Sequence, residues 1–301
     1  MALPAVAMPR RQSLTDRLGA YVALTKPRII ELLLITTLPT MIVAQRALPP
    51  VWLMVATLLG GALAAGGANA INMVVDRDID KLMHRTRKRP LVTGAVTPRN
   101  ALIFAITLEV VAFVELWAWV TLLSAALAVS ATLFYVFVYT LWLKRTSSQN
   151  IVIGGAAGAV PVLVGWAAVT DSLAWTPVVL FALIFVWTPP HFWALAVKYK
   201  EDYQAASVPM LPAVATFKRT AGEILVYSVM LVGVSLLLAP VAKLGVIYVV
   251  SAGVLGAVFI GLAVRLLHSA TPKAAMQLFS YSITYLTLLF VLMAVDIFTK
   301  H

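Results

Sequence analysis

Apolar stretches of roughly 20 residues, the length a helix needs to cross the hydrocarbon core of a bilayer, recur near 29–45, 51–75, 100–117, 119–143, 151–170, 173–197, 222–242, 244–264 and 274–296. The pattern predicts an all-α integral membrane protein with nine spanning helices. Between Ala101 and Leu143 the only charges are Glu109 and Glu115, and the run is long enough for two spans. A tight turn near Trp117 and Trp119 is expected to divide it, because aromatic side chains gather at membrane–water interfaces. Polar segments are short except at 76–99 and 198–221, so residues 1–301 read as a single polytopic domain whose two loops carry most of the chemistry. The N-terminal arm, 1–27, lacks the compact apolar core and cleavage site of a secretory signal.

Composition agrees with a membrane environment: 61% of residues are hydrophobic and 12% charged, against roughly 25% charged in soluble domains, and the mean hydropathy is +0.94. The net charge of +11 changes the picture only in distribution. With the N-terminus placed in the cytosol, 20 of the 23 basic residues fall on inside segments, and Arg46, Lys243 and Lys300 fall outside. The positive-inside rule therefore accounts for the charge, orients the chain with its C-terminus on the opposite side, and leaves no need for a nucleic-acid partner. The absence of cysteine excludes disulfides, thiolate nucleophiles and thiolate metal sites.

The second span runs into "NMVVDRDIDK" (72–81). Asn72, Asp76 and Asp80 are spaced i, i+4, i+8 and share one helical face, whereas Asp78 points elsewhere. Carboxylates so placed suit Mg²⁺, which takes one or two protein carboxylates together with waters and phosphate oxygens. Downstream, "KLMHRTRKRPLVTG" supplies Lys81, Arg85, Arg87, Lys88 and Arg89 as phosphate partners. The plainer reading is a solvated loop whose Asp and Arg residues pair at the headgroups. Asn69 and Asn72 weigh against it, since they interrupt an apolar span among small residues, "GGALAAGGANA", that permit close helix packing. In the second polar segment, Pro189 and Pro190 are expected to kink or unwind the sixth span. Lys198 and Asp202, four apart, would then share a face, with Asp202 either offering a second carboxylate to the metal or pairing with Lys198. Glu109, near the centre of the third span, is costly enough in lipid to count as a functional candidate without an assigned role.

"NMVVDRDID" with "RTRKRP" resembles the first aspartate motif, N-x-x-x-D-x-x-x-D, of the UbiA superfamily of intramembrane prenyltransferases. "LTKPR" (24–28), "LKRTSSQNIVIGGAAGAVPVLVGW" (143–166), "PHFWALA" (190–196) and "EDYQAASVPMLP" (201–212) are similar to the branch that farnesylates protohaem. Lys198 stands where the superfamily's second motif, D-x-x-x-D, commonly has its first carboxylate. The resemblance implies a UbiA-type bundle in a bacterial inner (plasma) membrane, with a cytosol-facing site that transfers farnesyl from farnesyl diphosphate to a vinyl group of haem b. It implies Mg²⁺ on Asn72, Asp76, Asp80 and Asp202, with Lys198 beside them, and diphosphate on Arg85, Arg89 and Lys144. Phe134, Tyr135, Tyr139 and Trp193 are the candidates to shield an allylic cation, and His191 is the candidate to meet haem iron or a propionate. Membrane lipid, and haem A synthase or a terminal oxidase downstream, complete the implied partners. An aromatic quinone precursor as acceptor, or a multi-spanning transporter, are the competing readings. Against transport, the carboxylates cluster at one membrane face and not at the midplane.

Overall fold

The computed structural model describes residues 13–299, without the side chains of residues 28, 29 and 31–34; most of the basic N-terminal arm (1–12) and Lys300 lie outside the described residues. An N-terminal helix, α1 (Leu14–Thr25), is followed by α2 (Pro27–Gln45), α3 (Val51–Val75), α4 (Pro98–Trp119) and α5 (Leu122–Thr146). The chain continues through α6 (Asn150–Thr170), α7 (Trp175–Lys198), α8 (Phe217–Val241), α9 (Val246–Ser269) and α10 (Pro272–Phe298). Among the described residues eight of these, α3 to α10, are long and apolar enough to cross a membrane, and the described stretch Ile35–Gln45 of α2 is apolar as well.

Local chemistry sets the helix ends. Thr97, Thr216 and Thr271 accept hydrogen bonds from the backbone N–H three residues on, capping α4, α8 and α10, and Pro98 and Pro272 occupy first helical positions where a missing N–H costs nothing. The turn between α4 and α5 falls at Val120 and Thr121, just past the expected Trp117–Trp119, because Thr121 caps the next helix by accepting from the Ser124 N–H. On the far face Asp296, buried near the end of α10, accepts from the N–H groups of Gly245 and Tyr248 and so caps α9 from outside it.

Packing is closest where side chains are smallest. A Cβ on Gly67 of α3 would stand 2.7 Å from Glu109 Oε1 and 2.9 Å from the Ala105 carbonyl on α4, so the glycine is what lets the two helices meet. The largest core joins α7 to α10 around Trp193, Tyr248, Phe259, Tyr285 and Phe290. The expected break at Pro189 and Pro190 does not occur as an unwinding, since both prolines lie inside a continuous α7. Their neighbours Trp187, Thr188 and His191 are all buried against adjacent helices, the setting in which membrane helices tolerate proline.

The alternation of helices puts the 76–97 and 199–216 segments at one end of the bundle, where hydrogen bonds join them. Gln149, before α6, and Ser172, after it, lie at opposite ends of one span. Single cysteines at these two positions in this cysteine-free chain should therefore react with an impermeant maleimide from opposite sides of sealed vesicles; labelling of both from one side contradicts the topology.

Candidate active site

The site is built downward from the end of α3. That helix stops at Val75, and a short helix, Arg77–Asp80, follows across Asp76. The hydrogen bonds Asp76 N–H to Asn72 O and Asp80 N–H to Asp76 O, both 2.9 Å, carry the i, i+4 spacing through the junction. Asn72, Asp76 and Asp80 consequently stay on one line and are all buried, while Asp78 leaves it. Asp78 instead pairs with Arg145 at 2.7 Å, and that hydrogen bond lowers its carboxyl pKa to about 2.

Asp76 is fully buried. One of its oxygens, Oδ2, pairs with the Lys144 ammonium and accepts from Asn72 Nδ2 at 2.7 Å; the other, Oδ1, has no hydrogen-bond partner. Asp80 is held by Arg89 Nη1 at 2.6 and 2.8 Å. Lys144 reaches Asp76 from the end of a π-helical segment, Phe134–Leu143, that occupies the second half of α5. Its wider i→i+5 winding brings Tyr135, Tyr139 and Lys144, spaced four and five apart, to the same cavity. Tyr135 and Tyr139 stack there with ring centroids 5.3 Å apart, and Gly154 on α6 leaves the room that Tyr139 fills.

Thr140 in this segment fixes an orientation. Its hydroxyl donates to the Tyr135 carbonyl at 2.8 Å, so toward Asn72, 3.1 Å away, it can only accept. The Asp76 carboxylate likewise only accepts. Both N–H bonds of the Asn72 amide are thereby assigned, and its Oδ1 must turn to the one donor left, Lys26 Nζ at 3.0 Å. Lys26 sits between α1 and α2 in the left-handed region, φ 52, a costly conformation for a non-glycine residue. Burial, with the charges of Arg89 and Lys144 close by, lowers its pKa to about 7.

These groups open on a cavity of about 350 Å³. Its polar end holds Lys26, Asn72, Asp80, Arg85, Arg89 and Lys144. Its far end is walled by small and apolar residues, among them Gly61, Ala65, Ala131, Gly158 and Val164. A charged head and a slender apolar tail fit these two ends.

Other expected residues lie elsewhere. Trp193 is buried outside the cavity lining, edge-on to Tyr227 at 5.5 Å, and Phe134 likewise does not line it. His191 lies behind the wall, with Nδ1 bonded to Ser282 Oγ at 2.6 Å and its ring stacked on Trp187 at 4.2 Å. One helix ends at Lys198 and the next begins at Lys200; among the described residues Lys198 and Asp202 form no ion pair, and Lys198 lies over the Tyr199 ring. Asp202 accepts from the backbone N–H groups of His84 and Arg85 and is absent from the cavity wall. Glu109 accepts from Thr132, a cavity-lining residue on α5. Lys26 and Thr140 were not singled out by spacing; a lysine before proline and a threonine within an aromatic run carry no periodic signal.

The profile of the UbiA prenyltransferase family matches residues 33–292. The chain belongs to the UbiA prenyltransferase family. It is 54% identical over 298 residues to protoheme IX farnesyltransferase 1 of Saccharopolyspora erythraea, covering 98% of this chain and 94% of that one. To the protoheme IX farnesyltransferase of Renibacterium salmoninarum it is 52% identical over 296 residues, covering 96% and 93%. Its fold matches a solved digeranylgeranylglyceryl phosphate synthase with a TM-score of 0.78 at 17% identity, covering 94% and 99%. A UbiA homolog from Archaeoglobus fulgidus bound to DMAPP and Mg²⁺ matches with a TM-score of 0.63 at 16% identity, covering 90% and 99%.

As in any UbiA-family site, the question of a metal turns on the donors present. Among the described residues no three acidic or histidine side chains converge into a ready cage. Mg²⁺ does not need one, because substrate phosphate and water supply most of its ligands. Asn72 and the Asp80 carboxylate line the cavity, with Asp76 Oδ1 buried behind them and without a hydrogen bond; a divalent ion shared with a bound diphosphate fits this donor set when it takes the place of the Lys26 and Arg89 contacts on Asn72 Oδ1 and Asp80.

The Thr140 contact is testable. Thr140→Val leaves a buried Asn72 N–H unsatisfied, at a cost of about 1–3 kcal/mol, and Thr140→Ser retains both hydrogen bonds. Thermal unfolding in detergent should show the valine variant destabilised and the serine variant near wild type; a destabilised serine variant beside a valine variant near wild type would mean the methyl group, not the hydroxyl, is what counts.

Proposed function

We propose that this chain transfers the farnesyl group of farnesyl diphosphate to a vinyl group of haem b, with addition of water, giving haem O and diphosphate. The observation that carries the reading is the pairing of a charged mouth with an apolar cavity in a chain more than half identical to proteins named protoheme IX farnesyltransferase over nearly its whole length. The membrane setting follows from eight apolar spans and the family. A bacterial inner membrane, a cytosolic site and N-terminus, and delivery of the product to haem A synthase or a terminal oxidase belong to the proposal.

Arg85, Arg89, Lys144 and Lys26 bind the diphosphate and stabilise it as it leaves, which matters most in a water-poor site of low dielectric constant. Asn72, Asp76 and Asp80 hold Mg²⁺, which when bound supplies the leaving group with further positive charge. The C1–O bond of the farnesyl group breaks with its electron pair leaving on diphosphate. Tyr135 and Tyr139 present ring faces to the resulting allylic cation. The terminal vinyl carbon of haem b gives its π electrons to C1, which forms the new C–C bond. The positive charge passes to the carbon next to the macrocycle, where water adds its oxygen and loses a proton to solvent or diphosphate. Phe192, Leu195 and Met210, at the side of the cavity nearest the second polar segment, suit the face of a planar acceptor. His191 supports that wall through Trp187.

The test is mass spectrometry of haem extracts from a host lacking haem O, with and without this chain. Haem O is expected only with the chain; a prenylated aromatic acid in its place would overturn the acceptor assignment. Asp76→Asn and Asp80→Asn should each lower turnover at least about a hundredfold, since such ions supply several kcal/mol of charge stabilisation. Asp78→Asn, which touches only the exposed pair with Arg145, should be mild.

A further inference from the structure

Asp202 is the one acidic residue of the second polar segment that the family motif offers to a metal, yet its carboxylate is engaged elsewhere. Oδ1 accepts from the His84 N–H and Oδ2 from the Arg85 N–H, each at 3.0 Å. The two donors are consecutive amides of the loop that follows the first aspartate motif. Beneath this polar clasp the same two segments share a small apolar core of Ile79, Met83, Ala206 and Val208, with Tyr203 packed against it. Arg85 lines the cavity and lies over the Tyr199 ring, 5.5 Å from its centroid, while Asp202 does not line the cavity.

We infer that Asp202 is a positioning residue: it latches the two cytosolic segments into one cap, aims Arg85 at the diphosphate, and takes no part in holding the divalent ion. The inference rests on the prenyl-diphosphate reading of the site. Its physical basis is that five cations, Lys81, Arg85, Arg87, Lys88 and Arg89, crowd a nine-residue stretch and repel one another. A carboxylate bonded to two backbone N–H groups at the middle of that stretch both neutralises it and fixes its course. Lys198, in place of the motif's other carboxylate, removes the partner that would make this end of α7 a second metal arm.

Full-length protein in nanodiscs allows the latch and the metal to be read separately. Hydrogen exchange should find the His84 and Arg85 amides protected in the wild type and exchanging at least tenfold faster in Asp202→Ala. Mn²⁺ binding followed by electron paramagnetic resonance, with an unreactive farnesyl thiodiphosphate present, should keep its stoichiometry in Asp202→Ala and lose it in Asp76→Asn. The analogue's Kd should rise on the order of tenfold in Asp202→Ala, the scale of one hydrogen bond to a charged group. It should rise similarly in Arg85→Ala, and no further in the double variant. Asp202→Asn, which retains one acceptor oxygen, supplies an intermediate case should the alanine variant fold poorly. Loss of Mn²⁺ with the two amides still protected, or additive effects of the Asp202 and Arg85 changes, overturns the latch. A wild-type chain that binds neither analogue nor Mn²⁺ sinks the prenyl-transfer reading instead, and the exchange rates then decide the clasp alone.

Discussion

The polar end of this protein depends on one buried carboxylate. Asp76 has no exposure to solvent, and an uncompensated charge there would cost several kcal/mol. Lys144 and Asn72 answer it, and each can do so only because something else is arranged. Lys144 faces inward because the π-helical stretch of α5 widens the turn by which it follows Tyr139. Asn72 presents its N–H bonds to Asp76 because Thr140, already donating to Tyr135, leaves it no other choice. The other carboxylate oxygen has no hydrogen bond and only the Arg145 guanidinium 3.8 Å away, which leaves it receptive to a cation.

Most of the bundle was legible as periodicity, since lipid imposes long apolar helices whatever their neighbours. The spans from α3 to α10 fall within a few residues of where hydropathy puts them. The first expected span, 29–45, coincides with the helix α2, Pro27–Gln45. At the site, Asn72, Asp76 and Asp80 were readable because i, i+4 spacing survives a helix junction. Lys198 and Asp202 have the same spacing across the junction at Tyr199, yet among the described residues they do not pair, and Asp202 accepts instead from the His84 and Arg85 amides. Spacing proposes which residues can meet, but it does not say which partner a carboxylate takes, and nothing in "VKYKED" points to two backbone amides of a distant loop. Of the two outcomes expected at Pro189 and Pro190, unwinding does not occur: in a tightly packed membrane helix the lost hydrogen bonds are tolerated within a continuous α7.

Glycine at 60 and 67 has a role that composition alone cannot separate from generic helix packing. Each lies opposite a carboxyl of α4: a Cβ at Gly60 would stand 2.2 Å from Glu115 Oε2, and one at Gly67 would stand 2.7 Å from Glu109 Oε1. Glu109 is then tied across to Thr132, so a side chain that looks isolated in sequence joins α3, α4 and α5 at the depth of the cavity. Its contacts assign it first to holding the cavity wall.

Charge accounting explains why the site can be both buried and receptive. Lys26, Arg85, Arg89 and Lys144 oppose Asp76 and Asp80, a surplus of positive charge beside a cavity otherwise lined by uncharged, mostly apolar side chains. Such a surplus is unfavourable at low dielectric constant, and the protein meets it by lowering the pKa of Lys26 to about 7. Under the proposed function an entering diphosphate would reverse that pressure: it would offer Lys26 and the arginines an anion and restore the lysine's charge, while Asn72, Asp76 and Asp80 would hold the divalent ion that comes with it. Substrate and ion therefore supply each other's missing counter-charge. Neither alone completes the site, so binding of the two is expected to be mutually dependent, and the chemistry begins only when the head group, its ion and the four cations are together out of water.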